Sequence, residues 1–267
     1  MHGNTSDENW KERLLRGWVR DIPLAFGFLT RLRLPARQVP EDEFARAARA
    51  YPLVGAWVGL MGAAVLAAAA WLGLPPLACA LAALAAMVLL TGGLHEDGLA
   101  DVADGFGGGS NPDERLTIMR DSRTGAFGVL ALVLALGLKA ALLAGMAGVV
   151  PAALALIAAA ALSRAAMPLL MAWLAPARHD GLARNAGAPR PVDVMAGLAL
   201  GAAAAFLCLP WAHALVAVGL VLLVAVTMGF MAIDRIGGKT GDVLGAAQQV
   251  SEVAILAVAA AGPFGLA

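Results

Sequence analysis

Residues 52–72 read PLVGAWVGLMGAAVLAAAAWL, and residues 76–93 read PLACALAALAAMVLLTGG. Neither run holds a charged residue, and only Gly73-Leu74-Pro75 parts them. A helix rises 1.5 Å per residue, so about 20 apolar residues cross a hydrocarbon core of ~30 Å. The pair reads as a transmembrane hairpin. Working outward, runs of the same kind lie at 125–148, 151–174, 194–210, 212–232 and 243–262, giving seven expected spans. The expected fold class is all-α, a polytopic integral membrane helical bundle. In lipid each backbone polar group needs a partner within the chain, which helices and closed barrels alone supply. The alternating ten-residue segments of a barrel are not visible.

Composition agrees: 60% of residues are hydrophobic and 14% charged, with a mean hydropathy of +0.77, outside the range of ordinary soluble chains. The lipid bilayer is therefore an expected partner. A formal net charge of zero implies no bulk attraction to nucleic acid, which is not expected as a partner. Cys79 and Cys208 fall within apolar runs and read as small buried hydrophobes. Of the 19 Lys and Arg, 17 lie in residues 1–51, 94–124, 175–193 and 233–242, and only Lys139 and Arg164 lie inside spans. The positive-inside rule then places the N-terminus in the cytoplasm and the C-terminus outside. Residues 1–20 mix Lys11, Arg13, Arg16 and Arg20 with acids and tryptophans, and read as a cytoplasmic tail, not a signal peptide. The stretch 22–34, IPLAFGFLTRLRL, is too short and too basic to span and is expected at the interface. The whole chain, 1–267, reads as a single membrane domain, with 94–124 as a cytoplasmic acidic active-site loop.

That loop sits within residues 91–128, TGGLHEDGLADVADGFGGGSNPDERLTIMRDSRTGAFG. Seven of the chain's 19 acids lie between Glu96 and Asp121. Asp97, Asp101 and Asp104 follow spacings of four and seven, so on a helix they share one face. Like charges so placed destabilise a helix, the more so at a membrane boundary. A solvated acidic face is the plain alternative. Against it, glycines follow Asp97 and Asp104, and Gly107-Gly108-Gly109 would let a ligand approach the backbone. Hard oxygen ligands of this kind suit Mg²⁺ or Mn²⁺ bridging carboxylates to a substrate phosphate. Asp97, Asp101 and Asp104 are thus the expected metal ligands. Glu96 is placed behind them and His95 reads as a boundary residue. Arg120 and Arg123, flanking Asp121, offer guanidinium forks to phosphate, although interfacial anchoring would also explain them. Arg164 and Glu252, with Gln248, Gln249 and Asp242, predict a polar cleft at the cytoplasmic side. Lys139 is weaker evidence, because a lysine can snorkel.

The run HEDGLADVADGFGGG followed by IMRDSRTGAFG resembles the signature of the cobalamin synthases, the adenosylcobinamide-GDP ribazoletransferases. FLTRLRLP, GDVLGAAQQVSEVAIL and the seven-span layout are similar to that family too, so the likeness covers nearly all of the chain after residue 20. It implies a Mg²⁺-dependent phosphoryl transfer, the last step of nucleotide-loop assembly. A ribose hydroxyl of α-ribazole, or of its 5′-phosphate, would attack the cobinamide-side phosphorus of adenosylcobinamide-GDP and release GMP. It also implies a bacterial inner membrane, with the site facing the cytoplasm. Asp97, Asp101, Asp104 and Glu96 would then be the catalytic group, one of them taking the hydroxyl proton. Arg120, Arg123 and Arg164 would hold phosphates, with Asp121, Asp242 and Glu252 supporting the cleft. Asp101-x-x-Asp104-Gly105 also resembles the opening of the motif in CDP-alcohol phosphotransferases, but Gly108 and Gly109 stand where that family continues with Ala-Arg. An ion or solute transporter is the third reading, disfavoured because no repeat is evident and the polar groups gather at one edge. Self-association into a homo-oligomer is left open.

Overall fold

The computed structural model describes residues 5–32, 40–178 and 187–262; the side chains of 5–16 and 41 fall outside that description. Residues 1–4 of the expected tail and 33–34 of the expected interfacial segment lie outside it as well. The rest of those two segments forms one continuous helix, α1 (Thr5–Leu29). A short α2 (Glu41–Ala47) and a single 3-10 turn lead into α3 (Tyr51–Trp71). Then follow α4 (Pro76–Thr91), α5 (Leu94–Gly108), α6 (Pro112–Ile118), α7 (Ala126–Gly145), α8 (Val149–Ser163) and α9 (Ala166–Trp173). The described helices end with α10 (Pro191–Cys208), α11 (Trp211–Ile236) and α12 (Gly241–Ala260).

Among the described residues, six helical stretches are long and apolar enough to cross a membrane, or seven if the bent pair α4–α5 is one span. The chain is a multi-pass helical membrane protein. The second expected span differs from its prediction. α4 has 16 residues, about 24 Å at 1.5 Å each, and the chain then bends by 90° into α5. α8 and α9 together form one expected span, broken at Arg164 and Ala165. Pro168 explains the break, since it has no N–H for Arg164 O and its ring would crowd that carbonyl.

Small residues set the packing. A Cβ at Gly55 would stand 2.1 Å from Ala160 O, and one at Gly59 2.7 Å from Leu156 O. α3 and α8 therefore touch backbone to backbone, as glycine allows in membranes. Ala155, Leu156, Ala158, Ala159 and Ala160 are buried against them. Outward, Leu130, Val133 and Leu134 of α7 and Leu222, Leu223 and Phe230 of α11 are exposed, the apolar surface a bilayer would cover.

Candidate active site

Gly92 and Gly93, at φ of 71° and 73°, make the turn from α4 into α5, a pair of left-handed residues that side chains rarely adopt. α5 thereby crosses one end of the bundle and lies on α12. A Cβ at Gly98 would stand 2.8 Å from Asp242 O, and one at Gly245 3.3 Å from His95 Cα. This close crossing brings Asp242, in the first turn of α12, beside Asp97 and Asp101 on the acidic face. Burial, reinforced by the charges of Asp97, Asp242 and Asp104, pushes the Asp101 carboxyl up to about 7, while the nearby Arg178 guanidinium opposes the rise.

Arg178 reaches this cluster through a small clamp. Lys239 N–H donates to Ala175 O at 2.8 Å, and Ala177 N–H donates to Lys239 O at 2.9 Å. Lys239 Nζ donates to Met171 O. The segment after α9 is thus tied to the turn between α11 and α12, and Arg178 Nη2 donates to Leu116 O of α6 at 2.9 Å.

Beneath α5 lies a buried polar network. Lys139 Nζ donates to Gln249 Oε1 at 2.6 Å and to Glu252 Oε2 at 2.8 Å. Gln248 Nε2 donates to Glu252 Oε2 at 3.0 Å and to Ser163 Oγ at 2.9 Å. Gln249 Nε2 donates to Glu96 Oε1 at 2.9 Å. Arg164 donates from Nη1 to Ala160 O at 2.8 Å, and its charge faces Glu252 and Glu96. Two acids and two bases thus neutralise one another where an isolated ion would be expensive.

The sequence matches the family described as cobalamin-5-phosphate synthase over residues 21–260. The chain belongs to the cobalamin-5-phosphate synthase family. Proteins named adenosylcobinamide-GDP ribazoletransferase are similar to it throughout. The one from Azorhizobium caulinodans is 49% identical over 249 residues, covering 89% of this chain and 94% of the relative. That from Brucella anthropi is 46% identical over 248 residues, covering 90% and 95%. That from Bradyrhizobium diazoefficiens is 44% identical over 252 residues, covering 94% and 97%. No solved structure matches the chain.

For a cobalamin-5-phosphate synthase chain, the expected site residues divide into two sets. Asp97, Asp101 and Asp242 come together. Asp104 turns aside: Gly125 N–H donates to its Oδ2 at 2.7 Å and Gly128 N–H to its Oδ1 at 2.8 Å. Asp104 caps the N-terminus of α7, satisfying donors that a helix start leaves open, while its charge still bears on Asp101. Arg123 points outward, 86% exposed, with Nη2 at 2.6 Å from Asp121; that pairing holds Asp121 down at about 2. Arg120 is exposed just after α6. Arg123 is thus engaged with Asp121, and Arg178 is an arginine whose charge reaches Asp101 and Asp242. Arg164 and Glu252, 2% and 3% exposed, belong to the buried network and not to a phosphate site. Glu96 gives one oxygen to Gln249, and its Oε2 is buried without a partner among the described residues. Sequence reasoning gave no role to Arg178, discounted Lys139 as able to snorkel and read His95 as a boundary residue. Lys139 carried a signal, a charge in an apolar run facing Gln249 and Glu252, whereas nothing in the sequence marked Arg178 above the other loop arginines.

Among the described residues, no three His, Cys, Asp or Glu converge as a ready-made ion cage. Mg²⁺ does not require one: it keeps several waters and is held by one or two carboxylates plus substrate phosphates. Asp97, Asp101 and Asp242 supply such oxygens, and the charges of Asp97, Asp242 and Asp104, which add to burial in raising Asp101, are ones a divalent cation would offset. The donor set fits the ion.

Proposed function

We propose that this chain joins adenosylcobinamide-GDP to α-ribazole, or to its 5′-phosphate, releasing GMP at the last step of cobalamin nucleotide-loop assembly. The observation that carries the reading is the meeting of Asp97, Asp101 and Asp242 with Arg178 at one end of a bundle of this family. Asp97, Asp101 and Asp242 would hold Mg²⁺, which when bound supplies charge stabilisation to a diphosphate. Arg178 offers a guanidinium to the phosphoryl oxygens, in the manner suited to planar bidentate recognition. A ribose hydroxyl attacks the cobinamide-side phosphorus, forming one P–O bond as the P–O bond to GMP breaks, and the leaving electron pair departs with GMP. The hydroxyl proton passes to a carboxylate oxygen of the cluster. Four charged side chains at the bundle end thus position, neutralise and accept, while the network under α5 fixes the helix that carries two of them.

We place the site on the cytoplasmic side of a bacterial inner membrane, where the basic loops and a nucleotide-activated substrate would be. Purified protein given adenosylcobinamide-GDP and α-ribazole is expected to release GMP with Mg²⁺ and to stop with EDTA. Absence of GMP in the presence of Mg²⁺ would overturn the reading.

A further inference from the structure

A cavity of about 230 Å³ lies against the acidic cluster, between α3, α5, α9 and α12. Phe28, Met167, Met171 and Leu244 give it apolar walls, and the Phe28 and Tyr51 rings stack at 6.0 Å with 21° between planes. At its exposed end stand Asp97 and Asp242, the carboxylates it shares with the cluster. At its buried end stand Tyr51 and His95, each 1% exposed. Tyr51 Oη and His95 Nε2 have no hydrogen-bond partner among the described residues. Buried polar groups left open are costly, and both of these border the same cavity. That combination describes a site for a flat, largely apolar ring that carries a hydrogen-bonding atom.

We propose that this cavity seats the aromatic base of α-ribazole, with Tyr51 and His95 facing its one unsubstituted ring nitrogen and the ribose directed to Asp97 and Asp242. The inference rests on the ribazole-transfer reading and deepens it. A dimethylbenzimidazole is apolar apart from that nitrogen, so its methylated edge matches the walls formed by Phe28, Met167, Met171 and Leu244. Guanine fits less well, because its several donors and acceptors would meet methionine and leucine and stay unmatched. A phosphate is unsuited, since among the described residues no Lys or Arg lines the cavity. A corrin ring is too large for it. With the base held here, a ribose hydroxyl stands beside the carboxylates that border the reacting diphosphate.

The test fills the cavity. Met171→Trp is expected to raise the KM for α-ribazole by about ten-fold or more, the scale of discrimination by pocket shape. It should leave the KM for adenosylcobinamide-GDP within about two-fold and turn preference toward the riboside of unmethylated benzimidazole. Tyr51→Phe, which keeps the ring and removes the hydroxyl, should raise the α-ribazole KM alone and covers the case in which Met171→Trp does not fold. Equilibrium dialysis of 5,6-dimethylbenzimidazole against the protein in nanodiscs reads the cavity without turnover. Wild-type protein should bind it, Met171→Trp should not, and GMP should not displace it. An unchanged α-ribazole KM in both variants of an active enzyme overturns the cavity assignment and leaves the transfer reading standing. Displacement by GMP, or a rise in the adenosylcobinamide-GDP KM instead, overturns it in favour of guanine. Base binding that Met171→Trp abolishes in a protein releasing no GMP upholds the cavity and sinks the transfer reading.

Discussion

A carboxyl pushed up to about 7 is half protonated in neutral water, and Asp101 is in that state because it is partly buried beside Asp97 and Asp242. A cation binds the ionised form, so protons and metal compete for this group. The sign follows: above pH 7 Asp101 is already ionised and binding is pH-independent, and below pH 7 each unit of acid weakens apparent affinity by up to about ten-fold. Mg²⁺ titrations by calorimetry from pH 5.5 to 8.5 should show that bend, and Asp101→Asn should remove it. A flat profile in the wild type would take Asp101 out of the metal site. The spacing of Asp97 and Asp101 was readable, because two residues four apart on a helix must share a face. Asp104 was readable as part of that face, but not its use. Two glycines 21 and 24 residues later claim both its oxygens, a tertiary fact that no local pattern encodes.

Helix α12 joins the outer acids to the inner network, carrying Asp242 at its start and Gln248, Gln249 and Glu252 two and three turns on. Its partner in the interior is α7, through Lys139. The sequence allowed that lysine to snorkel, and on a lone span it could. Here it sits on the packed face of α7, 2% exposed, because the opposing faces of α12 offer Gln249 and Glu252. Lys139→Met would take from buried Glu252 its ion-pair partner, leaving it the Gln248 hydrogen bond and the charge of Arg164, a change that costs up to about 3–5 kcal/mol. Thermal unfolding in detergent should show a markedly lower midpoint, and Lys139→Met combined with Glu252→Leu should recover most of it. No loss in the single variant would mean that the pair contributes little. Existence of the spans was legible from apolar length alone, whereas α4's early end was not. Residues 76–93 are apolar throughout, and only the paired left-handed glycines stop the helix and turn it.

For the molecule as a whole, the short turns at 73–75 and 146–148 lie at the end opposite the acidic cluster, so one face of the bundle carries the chemistry. With Cys79 and Cys208 replaced by serine, Ser110→Cys should react with a membrane-impermeant maleimide in inverted vesicles. Leu74→Cys should react only in right-side-out cells. The reverse pattern would put the site outside and remove the supply of nucleotide-activated substrate. Legible in the sequence at this scale were the helical bundle and the gathering of acids at one end of it. The cavity beside it was not, since its walls come from α1, α3, α5, α9 and α12, which nothing but the finished packing brings together. The Lys139–Glu252 pair also bears on how the protein is made. Its members are 113 residues apart, and a ribosome adding about 5–20 residues per second needs on the order of ten seconds between them. Through that interval α7 must hold an unneutralised ammonium in or beside lipid, at a cost of about 2.5–3.5 kcal/mol on insertion scales. A chain cut short before α12 therefore keeps a membrane helix whose ammonium lacks the Glu252 carboxylate.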